Sequence, residues 1–224
     1  LLKAIKLNPK NKSIENNLLG FLTIFKPKKL DSNQFYLINE EFNKVNLSYH
    51  PNNQFIYNII GIAYSEIMNF EKSNEYFKNI LKKNPENIAV NYNYAMNLYK
   101  NKSFNEAAKY LRKILIIDDN YKDSKLIYGI VKSEINEFEE AIAIFKELIN
   151  NNNQNSEYFY NLGIIYQKIQ EFELSIKFLM NSIKLDDNRS EYHNSLGISY
   201  QKLDKIKEAE LSFKKAIDTD NSIS

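Results

Sequence analysis

Tyr160-Asn161-Leu162-Gly163-Ile164-Ile165-Tyr166-Gln167-Lys168-Ile169-Gln170-Glu171-Phe172-Glu173-Leu174-Ser175 decides the fold. Apolar residues recur at helical spacing on either side of a polar turn, the pattern of a helix, a short turn and a second helix. Gly163 and Ser175, one on each helix, are small. Two antiparallel helices approach to roughly 8–10 Å only where the side chains in contact are small. The pair therefore marks a crossing point, and larger apolar side chains fill the space around it.

Working outward, the same arrangement returns along the chain. Of the five glycines, Gly61, Gly129, Gly163 and Gly197 lie on a 34-residue grid whose remaining slot is Ala95. Twelve residues after each slot stands a second small residue: Ser73, Ala107, Ala141, Ser175 and Ala209. Four further on is a bulky apolar one: Phe77, Leu111, Phe145, Leu179 and Phe213. Nine after the first small residue comes Phe70, Phe104, Phe138, Phe172 or Ile206. Each unit carries too little apolar face to stand alone, so neighbours must stack to bury it.

These columns resemble the tetratricopeptide repeat. Leu162-Gly163 and Tyr166 match the first helix of that family, and Ser175, Leu179 and Ser182 occupy the small, bulky and small slots of its second helix. In the unit at 54–87, Tyr57, Gly61, Tyr64, Phe77, Ile80 and Pro85 stand in phase. The resemblance implies an all-α, right-handed superhelical solenoid of antiparallel helix hairpins, with repeats at 54–87, 88–121, 122–155, 156–189 and 190–223. The family's glycine in the hairpin turn is replaced throughout, by Met68, Lys102, Asn136, Gln170 and Asp204, which leaves the turn geometry open.

Upstream, Pro9 and Pro51 look like the same inter-repeat proline as Pro85 but lie 42 residues apart. The segment 12–53 reads as a divergent repeat with an extended turn at 26–33, where Pro27 disfavours helix before it. Residues 1–11 read as the second-helix stub of another repeat, and both ends look internal to a longer array. Apolar residues at those ends, such as Leu1, Ile5, Leu211 and Ile217, are expected to be partly exposed and to give weak self-association.

Composition narrows the function. Lys+Arg 30 against Asp+Glu 28 gives a formal net charge of +2, no bulk attraction for nucleic acid or anionic lipid. The strict 34-residue period and near-neutral charge also weigh against RNA-binding helical repeats. Cysteine is absent, which removes disulfides and thiolate metal sites and fits a cytoplasmic protein. No apolar run reaches the roughly 18 residues needed to span a bilayer. The run Asn150-Asn151-Asn152-Asn153 reads as a loop.

No catalytic constellation emerges, so neither an enzyme nor a cofactor is expected. His193 stands in an aromatic packing slot in line with Tyr57 and Phe159, and His50 precedes Pro51. The pairs Asp118-Asp119 and Asp186-Asp187 fall at repeat junctions, where the family has Asp-Pro, and suggest no metal site. Neither a phosphate-cradling glycine loop nor a serine nucleophile elbow is present.

What remains is the concave face that the first helices line in this family. The resemblance places Asn58, Ile62, Tyr92, Asn93, Met96, Leu126, Ile130, Tyr160, Asn161, Ile164, Asn194 and Ile198 there, with Ile59, Ile127 and Ser195 between them. The column Ile62, Met96, Ile130, Ile164, Ile198 replaces the basic and Asn residues with which chaperone-binding members clamp a carboxylate. It either lines an apolar groove or packs between neighbouring first helices. Asn93 and Asn161 match the family's Asn slot. The reading is a protein–protein interaction scaffold holding a peptide or helical segment of a partner. The alternative is the recognition arm of a larger enzyme, similar to repeat-linked glycosyltransferases or sulfotransferases.

Overall fold

A computed structural model of the chain describes residues 53–221. The expectations for 1–11 and 12–53, including exposure of Leu1 and Ile5, lie outside the described residues. Every regular element among those described is an α-helix: α1 Asn53–Glu66, α2 Phe70–Lys83, α3 Ile88–Lys100, α4 Phe104–Ile117, α5 Ser124–Glu134, α6 Phe138–Asn151, α7 Ser156–Lys168, α8 Phe172–Leu185, α9 Ser190–Lys202 and α10 Ile206–Asn221. The all-α hairpin architecture expected from the columns is what the described residues adopt. Asn150 and Asn151 complete the last turn of α6, so the asparagine run is a helix end leading into a turn, not wholly a loop.

The chain divides between Ile117 and Asp118 into two compact units. In the first, α1 packs on α2, α3 on α4, and α3 also on α2 and α1. In the second, the pairs are α5 with α6, α7 with α8, and α9 with α10; α7 also packs on α6 and α5, and α9 on α8 and α7. Each first helix after the leading one in its unit therefore seals the second helix before it. Asn69, Asn87 and Asn155 cap α2, α3 and α7 with their side-chain oxygens, which gives part of the asparagine content a structural use.

The small-residue columns are true crossing points. A methyl group built on Gly163 would lie 2.8 Å from Leu179 Cγ, and one on Gly61 2.7 Å from Phe77 Cε1. Ser73 uses the same closeness differently, its hydroxyl donating to the Gly61 carbonyl at 2.7 Å. Beneath the α5–α8 hairpins lies a core of Leu126, Ala141, Phe145, Leu162, Ile165 and Tyr166.

The turns explain how the missing glycines are tolerated. Met68, Lys102, Asn136, Gln170 and Asp204 all have φ between 56° and 65°, the left-handed conformation a glycine would supply. Each sits in a Schellman closure. In the α7–α8 turn, Gln170 N–H donates to the Gln167 carbonyl at 3.1 Å and Glu171 N–H to the Tyr166 carbonyl at 2.9 Å. The residue after each left-handed one then opens the next helix, as where Ser175 N–H donates to the Glu171 carbonyl. The turn geometry is that of a glycine-bearing hairpin, held in place by packing and closure bonds.

Candidate partner-binding face

Because first helices touch within each unit, α1 with α3, and α7 with α5 and α9, their columns are brought side by side. In the first unit Asn58, Ile62, Tyr92, Asn93 and Met96 are all half-buried. Asn93 Nδ2 donates to Asn58 Oδ1 at 3.0 Å, so these two predicted site residues bond each other across the helices. In the second unit Ile130, Tyr160, Asn161, Ile164 and Ile198 are half-buried, and Asn194 is exposed. Leu126 is only 8 % exposed and belongs to the core, as Ile127 and Ser195 are also buried, and Ile130 packs partly against that core. The area these residues offer a partner is correspondingly small. Asn161 Nδ2 donates to the Glu157 carbonyl of its own helix at 2.8 Å. Tyr160 stacks on Tyr192 with ring centroids 4.6 Å apart, and the Tyr192 hydroxyl lies 3.2 Å from Ser156 Oγ. Burial pushes the Tyr192 phenol above its ordinary range.

The far ends of the first helices carry charges in register. Lys100 Nζ meets Glu66 at 2.6 Å, and Lys168 Nζ meets Glu134 at 2.8 Å, each pair one repeat apart. Deeper in the second unit, Gln167 Nε2 donates to the Ser195 carbonyl and to Ser199 Oγ, which in turn lies 2.9 Å from Ser175 Oγ. Such buried polar links hold one repeat against the next in a fixed register.

The junction acids have partners in the first helices that follow them. His193 is buried with Nε2 3.0 Å from Asp187 Oδ1 and 3.2 Å from the Asp187 carbonyl; both oxygens accept, so Nε2 carries the hydrogen. At equivalent positions Lys125 Nζ reaches Asp119 at 2.8 Å, and Asn91 Nδ2 donates to the Pro85 carbonyl at 2.8 Å. Three different side chains thus tie a first helix back to the junction before it. Among the described residues no three His, Asp or Glu side chains converge as metal ligands.

One cluster escaped the sequence reading. Lys132 stands in the slot held by Tyr64, Tyr166 and Tyr200. It pairs with Glu137, and with Glu140 at 2.9 Å, and lies over the Tyr128 ring, whose hydroxyl donates to Glu140 at 3.0 Å. Burial opposes the lysine charge, but the hydrogen bonds to Glu137 and Glu140 outweigh it and hold the ammonium well above its usual range. Burial likewise pushes the Glu140 carboxyl up, and its bonds to Lys132 and Tyr128 more than reverse this. A lysine in a slot otherwise held by Tyr64, Leu98, Tyr166 and Tyr200 was the available signal. Its acidic partners lie across the turn, where no column points.

The sequence pattern of the tetratricopeptide repeat matches residues 69–129 and, in a second form, 156–189 and 190–223. Among solved structures, MamA residues 41-end from Desulfovibrio magneticus RS-1 is 20% identical, with 75% of this chain and 96% of that chain covered at a TM-score of 0.67. Another MamA crystal structure is 23% identical, with 75% and 92% covered at a TM-score of 0.64. At that identity the likeness is one of fold. A sequence search of curated proteins finds no match.

Proposed function

The chain belongs to the tetratricopeptide repeat family, and from that premise we propose that it is a binding scaffold whose first-helix face holds an apolar or amphipathic segment of a partner protein. The observation that carries this reading is that Ile130, Ile164 and Ile198 of the second unit are all half-buried, as are Ile62 and Met96 within the first. A residue left half in water after folding retains apolar area that a ligand can cover, about 25 cal/mol for each Å². Within the first unit Asn58, Tyr92 and Asn93, and within the second Tyr160, Asn161 and Asn194, supply polar groups for the backbone or side chains of the segment. Leu126 belongs to the core against which Ile130 packs. Binding of this kind is governed by apolar burial and responds weakly to salt.

A library of random 15-residue peptides displayed on phage, selected against the full chain, tests the proposal. The expected result is an enriched set rich in apolar residues whose binding falls about tenfold or more in the double variant Ile164→Asn, Ile198→Asn. Selected peptides that bind this variant as well as the parent chain would overturn it.

A further inference from the structure

The formal total of +2 conceals a local excess of positive charge in the first unit. Lys82 and Lys83 close α2, and both are exposed. α4 brings three more cations to that end. Its Lys113 Nζ donates to the Pro85 carbonyl at 3.2 Å, just past the last turn of α2, and Lys109 and Arg112 stand exposed in the turn before Lys113. Among the described residues, Lys82, Lys83, Lys109 and Arg112 meet no carboxylate, and Glu86, 3.6 Å from Lys113, is the acid that the group contains.

The repeat plan does not ask for this group. The same five positions 68 residues on hold Asn150, Asn151, Lys177, Met180 and Asn181, and 102 residues on only three of them are basic. The hairpins there still pack helix on helix. Like charges gathered without acids oppose folding, and an anionic ligand relieves them. Both repeats have chain before and after them in the sequence, so the exposure of these cations does not come from where it begins or stops.

An apolar neighbour narrows the ligand. Ile116 follows Arg112 by four residues and Lys109 by seven, on the same face of α4, and is 78 % exposed. The phosphates of a nucleic acid would answer the cations and leave Ile116 in water. A peptide with an apolar side chain among its carboxylates answers both.

We propose that Lys82, Lys83, Lys109, Arg112 and Lys113, with Ile116 beside them, form a docking site for an acidic segment of a partner protein that carries an apolar residue among its carboxylates. The site lies on second helices, apart from the isoleucine column of the first helices, and its affinity depends on salt.

The test titrates a labelled peptide of glutamates, with a leucine at every fourth position, into the full 224-residue chain by fluorescence anisotropy. Affinity is expected to fall about tenfold or more as salt rises from about 20 mM to about 300 mM. Lys82→Glu with Arg112→Glu should weaken binding by a similar factor at low salt. Lys177→Glu with Lys214→Glu, the same change of charge in the second unit, should leave it within about twofold. Ile116→Ser should weaken it about two- to fivefold at both salt concentrations. Absence of binding, equal losses in the two charge variants, or indifference to Ile116→Ser overturns the proposal. So does an oligonucleotide of thymidines, or a vesicle of phosphatidylcholine and phosphatidylserine, that binds more tightly than the peptide and is lost with Lys82 and Arg112, for then the ligand is a nucleic acid or a membrane.

Discussion

The α5–α6 and α7–α8 hairpins share one backbone plan and fill it in two ways. Both cross at a glycine, Gly129 or Gly163, and both turn through a left-handed residue, Asn136 or Gln170. In α7–α8 the space beside the crossing is apolar: Leu162 and Tyr166 are buried, and Tyr166 stacks on Phe178 with centroids 5.3 Å apart. In α5–α6 the same slots hold Tyr128 and Lys132, and Glu140 replaces Leu174. The lesson is that the crossing fixes the fold, while the slots next to it accept either filling as long as the set is complete. An aromatic stack is stabilised by area removed from water, whereas a buried lysine is tolerable only because two carboxylates and a phenol satisfy it.

That contrast can be broken most sharply on the apolar side. Tyr166→Ala should cost about 3 kcal/mol through the cavity it leaves, seen as a lower midpoint in urea unfolding. Lys132→Ala should cost less, about 1–2 kcal/mol, because Glu137 and Glu140 are half exposed and water can take up their charge. Replacing the polar set together, Tyr128→Leu with Lys132→Tyr and Glu140→Leu, should recover that loss or exceed it. A triple variant less stable than Lys132→Ala would show that the two fillings are not interchangeable.

Acid should also separate the hairpins. The Glu140 carboxyl is held below its ordinary value of 4.5, so its pairing stabilises the folded chain fully above that pH and is lost as pH falls through the lowered value. Amide exchange in the first turn of α6 is expected to accelerate below about pH 4.5, ahead of the first turn of α8, where Leu174 stands in place of Glu140. The smallest effect lies in the turns. Gln170→Gly should stabilise by about 0.5–1 kcal/mol by relieving a left-handed side chain, and Asn136→Gly by only a few tenths, since asparagine tolerates that conformation. Equal gains at the two sites would mean that the turns are strained for another reason.

Most of the fold was legible because helix crossings demand small residues and chain connectivity repeats them every 34 positions. Gly61, Gly129, Gly163 and Gly197 with Ala95 announce five crossings before any contact is seen. The turns were not legible in the same way. A left-handed residue is usually signalled by glycine, and here backbone closure compels Met68, Lys102 and Gln170 into the same φ. At the candidate face, columns told which side of a helix a residue occupies but not how deeply neighbours cover it. Leu126 and Tyr160 share a column, yet Leu126 enters the core while Tyr160 stacks on Tyr192. The bond from Asn93 to Asn58 and the Lys132 cluster depend on side chains meeting across helices, which a periodic reading does not register.

Thermal unfolding of Ile164→Asn beside Leu162→Asn separates a face kept for a partner from packing between helices. Leu162 is fully buried, and a stranded amide there should cost several kcal/mol and lower the melting temperature by about 8 °C or more. If the isoleucine column is surface kept for a partner, Ile164→Asn should lower it by no more than about 3 °C. A fall at Ile164 as large as that at Leu162 would make the column packing between first helices and rule out a face kept for a partner.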